Sequence, residues 1–303
     1  LEEKEIADYL KAGTIWRKAV SFARKRAQEN VSLLELAEGI EELTIDEGGE
    51  VCFPVNLSRN EEAAHFTPKY LDTTLLSLED VLKIDIGVMV NGRICDGAFT
   101  INLNNSHAKQ IEANELALEN AINSIKEGSV LASKGIELGK IGGAIESTLK
   151  AKGFNPVYNL GGHGLGVYNI HAKPSIPNHN NSSSTKIIDG AFAIEPFASN
   201  SKGFVSESNV VEIFSNTGVK SVRNIFARKV LAQAAKYKTP FAERWLRKEP
   251  SISQEMFPTA LRELMKTNCF EAHSGLREEK GVTITQAEKT ILLNDGKVIV
   301  LGE

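Results

Sequence analysis

Apolar side chains recur at helical spacing over residues 4–29, through Ile6, Tyr9, Leu10, Trp16, Val20 and Ala23, which predicts an amphipathic helix. Asn30 and Val31 interrupt the pattern. Ser32-Leu33-Leu34-Glu35 then forms a capping box that opens a second, shorter helix. Strands are predicted over 51–57 and 81–90. Asn91-Gly92 is the strongest short-range hairpin signal and predicts a returning strand over 93–103. The order then repeats. A long helix is predicted over 106–127 with Gly128 as its stop, and a shorter one over 138–152 followed by Gly153. Further strands are predicted over 191–197 and 209–214. Two helices followed by strands, twice over, predicts two related halves, and no solenoid-like period is present.

Residues 216–280 break this rhythm. They are charged, helix-rich and punctuated by Pro240, Pro250 and Pro258, and they read as a helical insertion subdomain. The main domain is then expected to comprise 1–215 and 281–303. The chain closes as a hairpin of 282–293 and 297–301, turning at Asn294-Asp295-Gly296. The polar stretch 173–185 is expected to be an exposed loop.

A composition 42% hydrophobic and 24% charged is that of an ordinary soluble globular protein. A formal charge of -4 gives no electrostatic reason to expect nucleic acid or an anionic membrane as partner, and Arg24-Lys25-Arg26 reads as a solvated helix face. Cys52, Cys95 and Cys269 are an odd number without C-x-x-C spacing, which argues against a disulfide framework or a cysteine zinc site. No apolar run approaches the ~18 residues of a membrane span, and LEEKEIADYL lacks a signal-peptide core. The expected setting is cytoplasmic. The chain opens on Leu1 rather than Met, so its natural start is expected to differ.

The most informative stretch is KIDIGVMVNGRICDGAFT. A hairpin turning symmetrically at Asn91-Gly92 sets Asp85 opposite Ala98 and Gly87 opposite Asp96, so both carboxylates project from one face. They are diagonal neighbours, with Cα atoms about 7 Å apart. Two such carboxylates in an apolar strand pair repel each other, and burial raises the cost. A cation between them removes it; the other reading has one of them facing solvent at a sheet edge. Gly87 and Gly97 mark close approach by a ligand or another backbone. Cys95 reads as a small buried hydrophobe on the opposite face.

His163 sits in NLGGHGLG, which lacks the Gly-Lys-Ser/Thr ending of a phosphate loop. His163, His171 and His65, taken singly, read more often as satisfied structural histidines than as catalytic ones. His107 and His179 read as surface residues. Glu195 in AFAIEPF and Glu288 in VTITQAEKTILL are carboxylates inside apolar runs. Each could have an ordinary buried partner, but four such carboxylates are neutralised together by one shared cation site.

In order, His65 in AAHFTP, Asp85, Asp96, His163 in GGHG, His171, Glu195 in IEPF and Glu288 in TQAEKT resemble the methionine aminopeptidases, most closely the type 2 branch in its short archaeal form. The long gap from Glu195 to Glu288, which accommodates the helical segment, is the type 2 mark. No long charged N-terminal extension of the eukaryotic kind is seen. The resemblance implies an α+β pita-bread fold, two pseudo-symmetric halves around a curved antiparallel sheet. It implies two divalent metal ions (Co, Mn, Fe or Zn), with Asp85 chelating one, Asp96 and Glu288 bridging both, and His163 and Glu195 completing the other. Four carboxylates and a neutral imidazole balance two such charges.

The implied reaction is removal of the initiator methionine from nascent polypeptides by a metal-bridging hydroxide, favouring a small second residue. Glu195 would shuttle the proton, and the substrate α-amine would bind the metal held by Asp85. His65 and His171 would donate hydrogen bonds to the scissile amide and the developing oxyanion. Phe53, Ile170, Phe197 and His273 would line the methionine pocket. A monomer, in contact with the ribosome, is the implied state. Departures bear on substrate preference: His273 stands where the family often has Tyr, Lys289 where His often follows the last glutamate, and Gly161 where Asn is common in eukaryotic members. Two rival readings are an Xaa-Pro dipeptidase, which typically carries a further N-terminal domain, and a non-catalytic binding module of the same fold, which would have lost ligands.

Overall fold

In the computed structural model, which describes residues 1–131, 135–219 and 222–303, the first periodic stretch forms the helix Glu3–Arg26. Tyr9, Ile15, Trp16, Ala19 and Ala23 form its buried face. Its acidic first turn and basic last turn complement the helix dipole. Ser32 caps the helix Leu33–Asp46 by accepting from the Glu35 amide at 3.3 Å.

A second helix pair follows, Ala108–Leu131 and Leu138–Ala151. The first does not stop at Gly128. A Cβ there would stand 3.1 Å from Ile136, so this glycine serves close packing rather than termination. Gly153, just beyond the second helix, does take the left-handed conformation, at φ 85°.

The strands Val81–Val90 and Arg93–Asn102 pair in the expected register, with Asp85 opposite Ala98 and Gly87 opposite Asp96. The other edge of Val81–Val90 carries two short strands, Glu50–Val51 and Asn56–Arg59, instead of one over 51–57. Pro54 lies in the break, where a ladder would lack its N–H. A second sheet runs in the order Lys297–Val300, Lys289–Asn294, Gly190–Ile194, Gly161–Gly166, Asn169–Pro177. Paired hydrogen bonds join the two sheets: the Ala98 amide donates to the Glu288 carbonyl at 3.3 Å, and the Glu288 amide to the Ala98 carbonyl at 2.9 Å. Every strand pairing among the described residues is antiparallel.

Between Asn216 and Phe270, which pair directly across two neighbouring strands, lie the helices Ile225–Ala234, Glu243–Arg247 and Phe257–Lys266. They share a core with Phe214, Phe241 and Phe270. Helix does not persist to residue 280: Phe270–Arg277 is a strand that pairs with Ser206–Asn216 and with Glu62–Ala64. Nor is 173–185 wholly a loop. Strand Asn169–Pro177 occupies its beginning, and Asn178 is completely buried. Among the described residues no helix is long and apolar enough to cross a membrane.

Candidate metal centre

The hairpin register delivers Asp85 and Asp96 to one face, and both are buried. His163 comes from strand Gly161–Gly166, where it pairs with Ala193. Glu195 follows strand Gly190–Ile194 and Glu288 precedes Lys289–Asn294. Ile194 pairs with Lys289, so the continued register brings the two glutamates side by side. Ligand atoms of Asp96, His163 and Glu288 lie within 4.8 Å of one another, and so do those of Asp85, Glu195 and Glu288. Glu288 belongs to both groups, which makes them one centre. Glu195 groups here with Asp85 rather than with His163.

The electrostatics of this cluster are adverse without a cation. Burial pushes Asp85 up to about 6, and burial with mutual repulsion raises Asp96, Glu195 and Glu288 well above the carboxylate range. Among the described residues no Lys or Arg pairs with any of the four. Asp85 Oδ1, Asp96 Oδ1 and Glu288 Oε1 are buried with no hydrogen-bond partner among the described residues. Neutral amides offer partial relief. Gln286 Nε2 donates to Glu195 Oε1 at 3.0 Å, and Asn56 Nδ2 reaches Asp85 Oδ2 at 3.5 Å.

His163 completes the donor set. Its Nδ1 lies 3.3 Å from the Gly164 carbonyl, which can only accept, so the proton sits on Nδ1. The Nε2 lone pair stands 3.9 Å from Asp96 Oδ2 and accepts no hydrogen bond among the described residues. Burial, then His171, lowers its pKa to about 3, so it is neutral near pH 7. Several carboxylate oxygens and one imidazole nitrogen fit divalent first-row ions.

A cleft opens above this floor, lined by Phe53, His65, Ile170, His171 and His273 together with Ile213 and Pro240. Phe197 does not line it. Its ring is buried among Ala63, Val157, Val205 and Ile284, leaving no surface for the cleft. His65 holds a φ of 63° and its Nδ1 lies 3.3 Å from the Ser274 carbonyl, which places its proton on Nδ1 also. Its pKa falls to about 4 through burial, then His171 and His273. The rings of His163 and His171 are 4.7 Å apart. His273 Nε2 lies 2.7 Å from Ser215 Oγ. His107 and His179 are half-buried rather than surface residues, and the His179 ring lies 5.3 Å from Tyr158.

Gln286 and Thr290 went unassigned from sequence. Thr290 Oγ1 accepts from the Asp96 amide at 2.8 Å and donates to the Asp96 carbonyl at 2.7 Å, clamping the backbone of a site residue. Both lie two residues from Glu288, which was the available signal. Ile213 was legible only through its pairing with His273.

Residues 7–224 match the model of Metallopeptidase family M24, a span that contains every residue of the centre except Glu288. The chain is 41% identical over 306 residues to the Methionine aminopeptidase of Pyrococcus abyssi, covering 99% of this chain and 100% of that protein. In fold it is similar to a methionine aminopeptidase from Thermotoga maritima (TM-score 0.70, 19% identity, spanning 100% of this chain and 98% of that one). It is also similar to a thermophilic Arx1 (TM-score 0.82, 15% identity, spanning 100% and 91%). These two likenesses show the pita-bread fold.

Proposed function

Because this chain belongs to metallopeptidase family M24, among the methionine aminopeptidases, we propose that it removes the N-terminal methionine from nascent polypeptides in a metal-dependent reaction that favours a small second residue. The observation that carries the metal dependence is the convergence of four carboxylates on His163, with three buried oxygens left unpartnered among the described residues. Asp85, Asp96, His163, Glu195 and Glu288 would hold two divalent ions drawn from Co, Mn, Fe or Zn. When bound, such ions supply Lewis acidity and a nucleophile near neutral pH.

The chain's own groups do the rest. Glu195 moves a proton at its carboxylate. His171, exposed on the cleft wall, donates to the developing oxyanion. His65 differs from the expectation of a donor: with its proton held at Nδ1, its Nε2 is an acceptor, suited to the scissile N–H. Phe53, Ile170, Ile213, Pro240 and His273 receive the methionine side chain. The helices between Asn216 and Phe270 are read as the type 2 insertion, 216–280, in a body of 1–215 and 281–303. A cytoplasmic monomer that meets nascent chains at the ribosome is the setting this reading carries.

The test pairs metal content with turnover. Wild type should retain two equivalents of divalent metal and release methionine from Met-Ala-Ser, and Asp96→Ala should lose both. A wild type that binds no metal and releases nothing overturns the proposal. Preferential cleavage of an Xaa-Pro dipeptide would move the protein to the dipeptidases.

A further inference from the structure

The cleft does not end at its histidines. Two chain segments that line it also line a second groove. Phe53 and Pro240 line the cleft, whereas Val51 and Thr239, two and one residues away, line the groove. Helix Leu33–Asp46 adds Ile45, a large apolar side chain 60% exposed there, and helix Glu243–Arg247 adds Trp245. Glu50 and Lys238 line it too, with the Lys238 ammonium 4.1 Å from the Tyr168 ring centroid.

The backbone of this groove is open as well. Glu50–Val51 pairs with Met89 and Val88 on one side, and no strand pairs with its outer edge among the described residues. An unpaired strand edge beside an aromatic ring and an exposed aliphatic side chain suits an extended peptide, gripped mainly through its main chain.

We propose that this groove holds the downstream residues of the peptide substrate, laid in extended form along Glu50–Val51. The inference rests on the aminopeptidase reading. An aminopeptidase substrate has chain on only one side of the scissile bond, and that chain must leave the cleft. The shared segments make the groove its continuation. Main-chain recognition, in a groove lined by side chains of both charges, tolerates varied downstream sequence, as an enzyme acting on many nascent chains requires.

The test compares Met-Ala-Ser with the same peptide extended to eight residues, for wild type and for Ile45→Ser and Lys238→Ala, both exposed positions. Remote binding energy should raise wild-type kcat/KM about tenfold for the longer peptide. Both variants should keep the tripeptide value and lose most of that gain. Equal values for the two peptides in wild type, or equal losses on both peptides in the variants, overturn the groove while leaving the activity intact. Absence of tripeptide turnover counts against the activity itself. The groove is then read from Trp245 emission, separated from Trp16 by a Trp16→Phe background: an octapeptide-dependent change, lost in Ile45→Ser, sustains it, and no change overturns it.

Discussion

Gln286 Nε2 lies 3.0 Å from Glu195 Oε1 and 3.4 Å from both Asp85 Oδ2 and Glu288 Oε2, so one amide faces three carboxylates. It has two protons for three acceptors, and it carries no charge. It therefore orients these oxygens without neutralising them, the part expected of a group behind the ligands of a metal. Gln286→Ala should weaken Mn(II) or Co(II) binding by about 10–100-fold in calorimetric titration. Unchanged affinity would reduce Gln286 to a packing role.

His65 gives a pH signature of its own. Its folded pKa, about 4, lies below the ordinary value of 6.5, so between those values the unfolded chain takes up a proton that the folded one refuses. Stability contributed by neutral His65 is full above 6.5 and is lost as pH falls toward 4, on the order of 3 kcal/mol in all. His65→Gln should flatten that part of the stability profile in urea melts from pH 7 to 4, keep its metal, and lose about 100-fold or more in turnover. Substantial metal loss in the variant would contradict a role outside the ligand set.

The hairpin at Asn91-Gly92 was legible because a two-residue turn fixes register, and register alone decides that Asp85 and Asp96 share a face. Glu195 and Glu288 stood out as carboxylates in apolar runs, yet their adjacency depends on Ile194 pairing with Lys289 across a long separation in sequence, which no local pattern encodes. Phe197 shows the same limit. The resemblance set it in the methionine pocket, but whether it met the cleft or the cluster around Val157 was a matter of tertiary placement. Gly128 looked like a helix stop and proved to be a contact point for Ile136, because a missing Cβ serves both purposes.

Arg244 fastens the helical segment to the N-terminal half. It is completely buried, donating to Thr67 Oγ1 at 2.7 Å, to the Pro68 carbonyl at 3.2 Å and to Glu41. Glu41 is raised by burial and held down by Arg244 and by Trp245, whose Nε1 donates to it at 2.8 Å. Arg244→Leu leaves a buried carboxylate without its countercharge and should cost about 3–5 kcal/mol in urea unfolding. Adding Glu41→Leu should restore part of that loss. A double variant as unstable as the single one would show that stranded charge is not the cause.

Gly87 and Gly97 separate function from stability on a single hairpin. Both signalled close approach by a ligand or another backbone, and in both cases an aromatic side chain makes it instead. Gly87 shares the face of Asp96, and a Cβ there would stand 2.2 Å from Cε1 of Phe53, a wall of the cleft. Gly97 looks the other way, where a Cβ would stand 2.5 Å from Cζ2 of Trp16, whose Nε1 donates to the Gly97 carbonyl at 3.2 Å. Gly87→Ala should displace Phe53 and raise KM for Met-Ala-Ser about tenfold, the scale of one methyl group in an apolar pocket. Metal content should not change. Gly97→Ala should instead overpack the junction of helix and sheet, lowering stability by about 1–3 kcal/mol with KM unaltered. If Gly97→Ala raised KM as much as Gly87→Ala, the assignment of the Phe53 ring to the methionine pocket would fail, because general loosening of the hairpin would explain both.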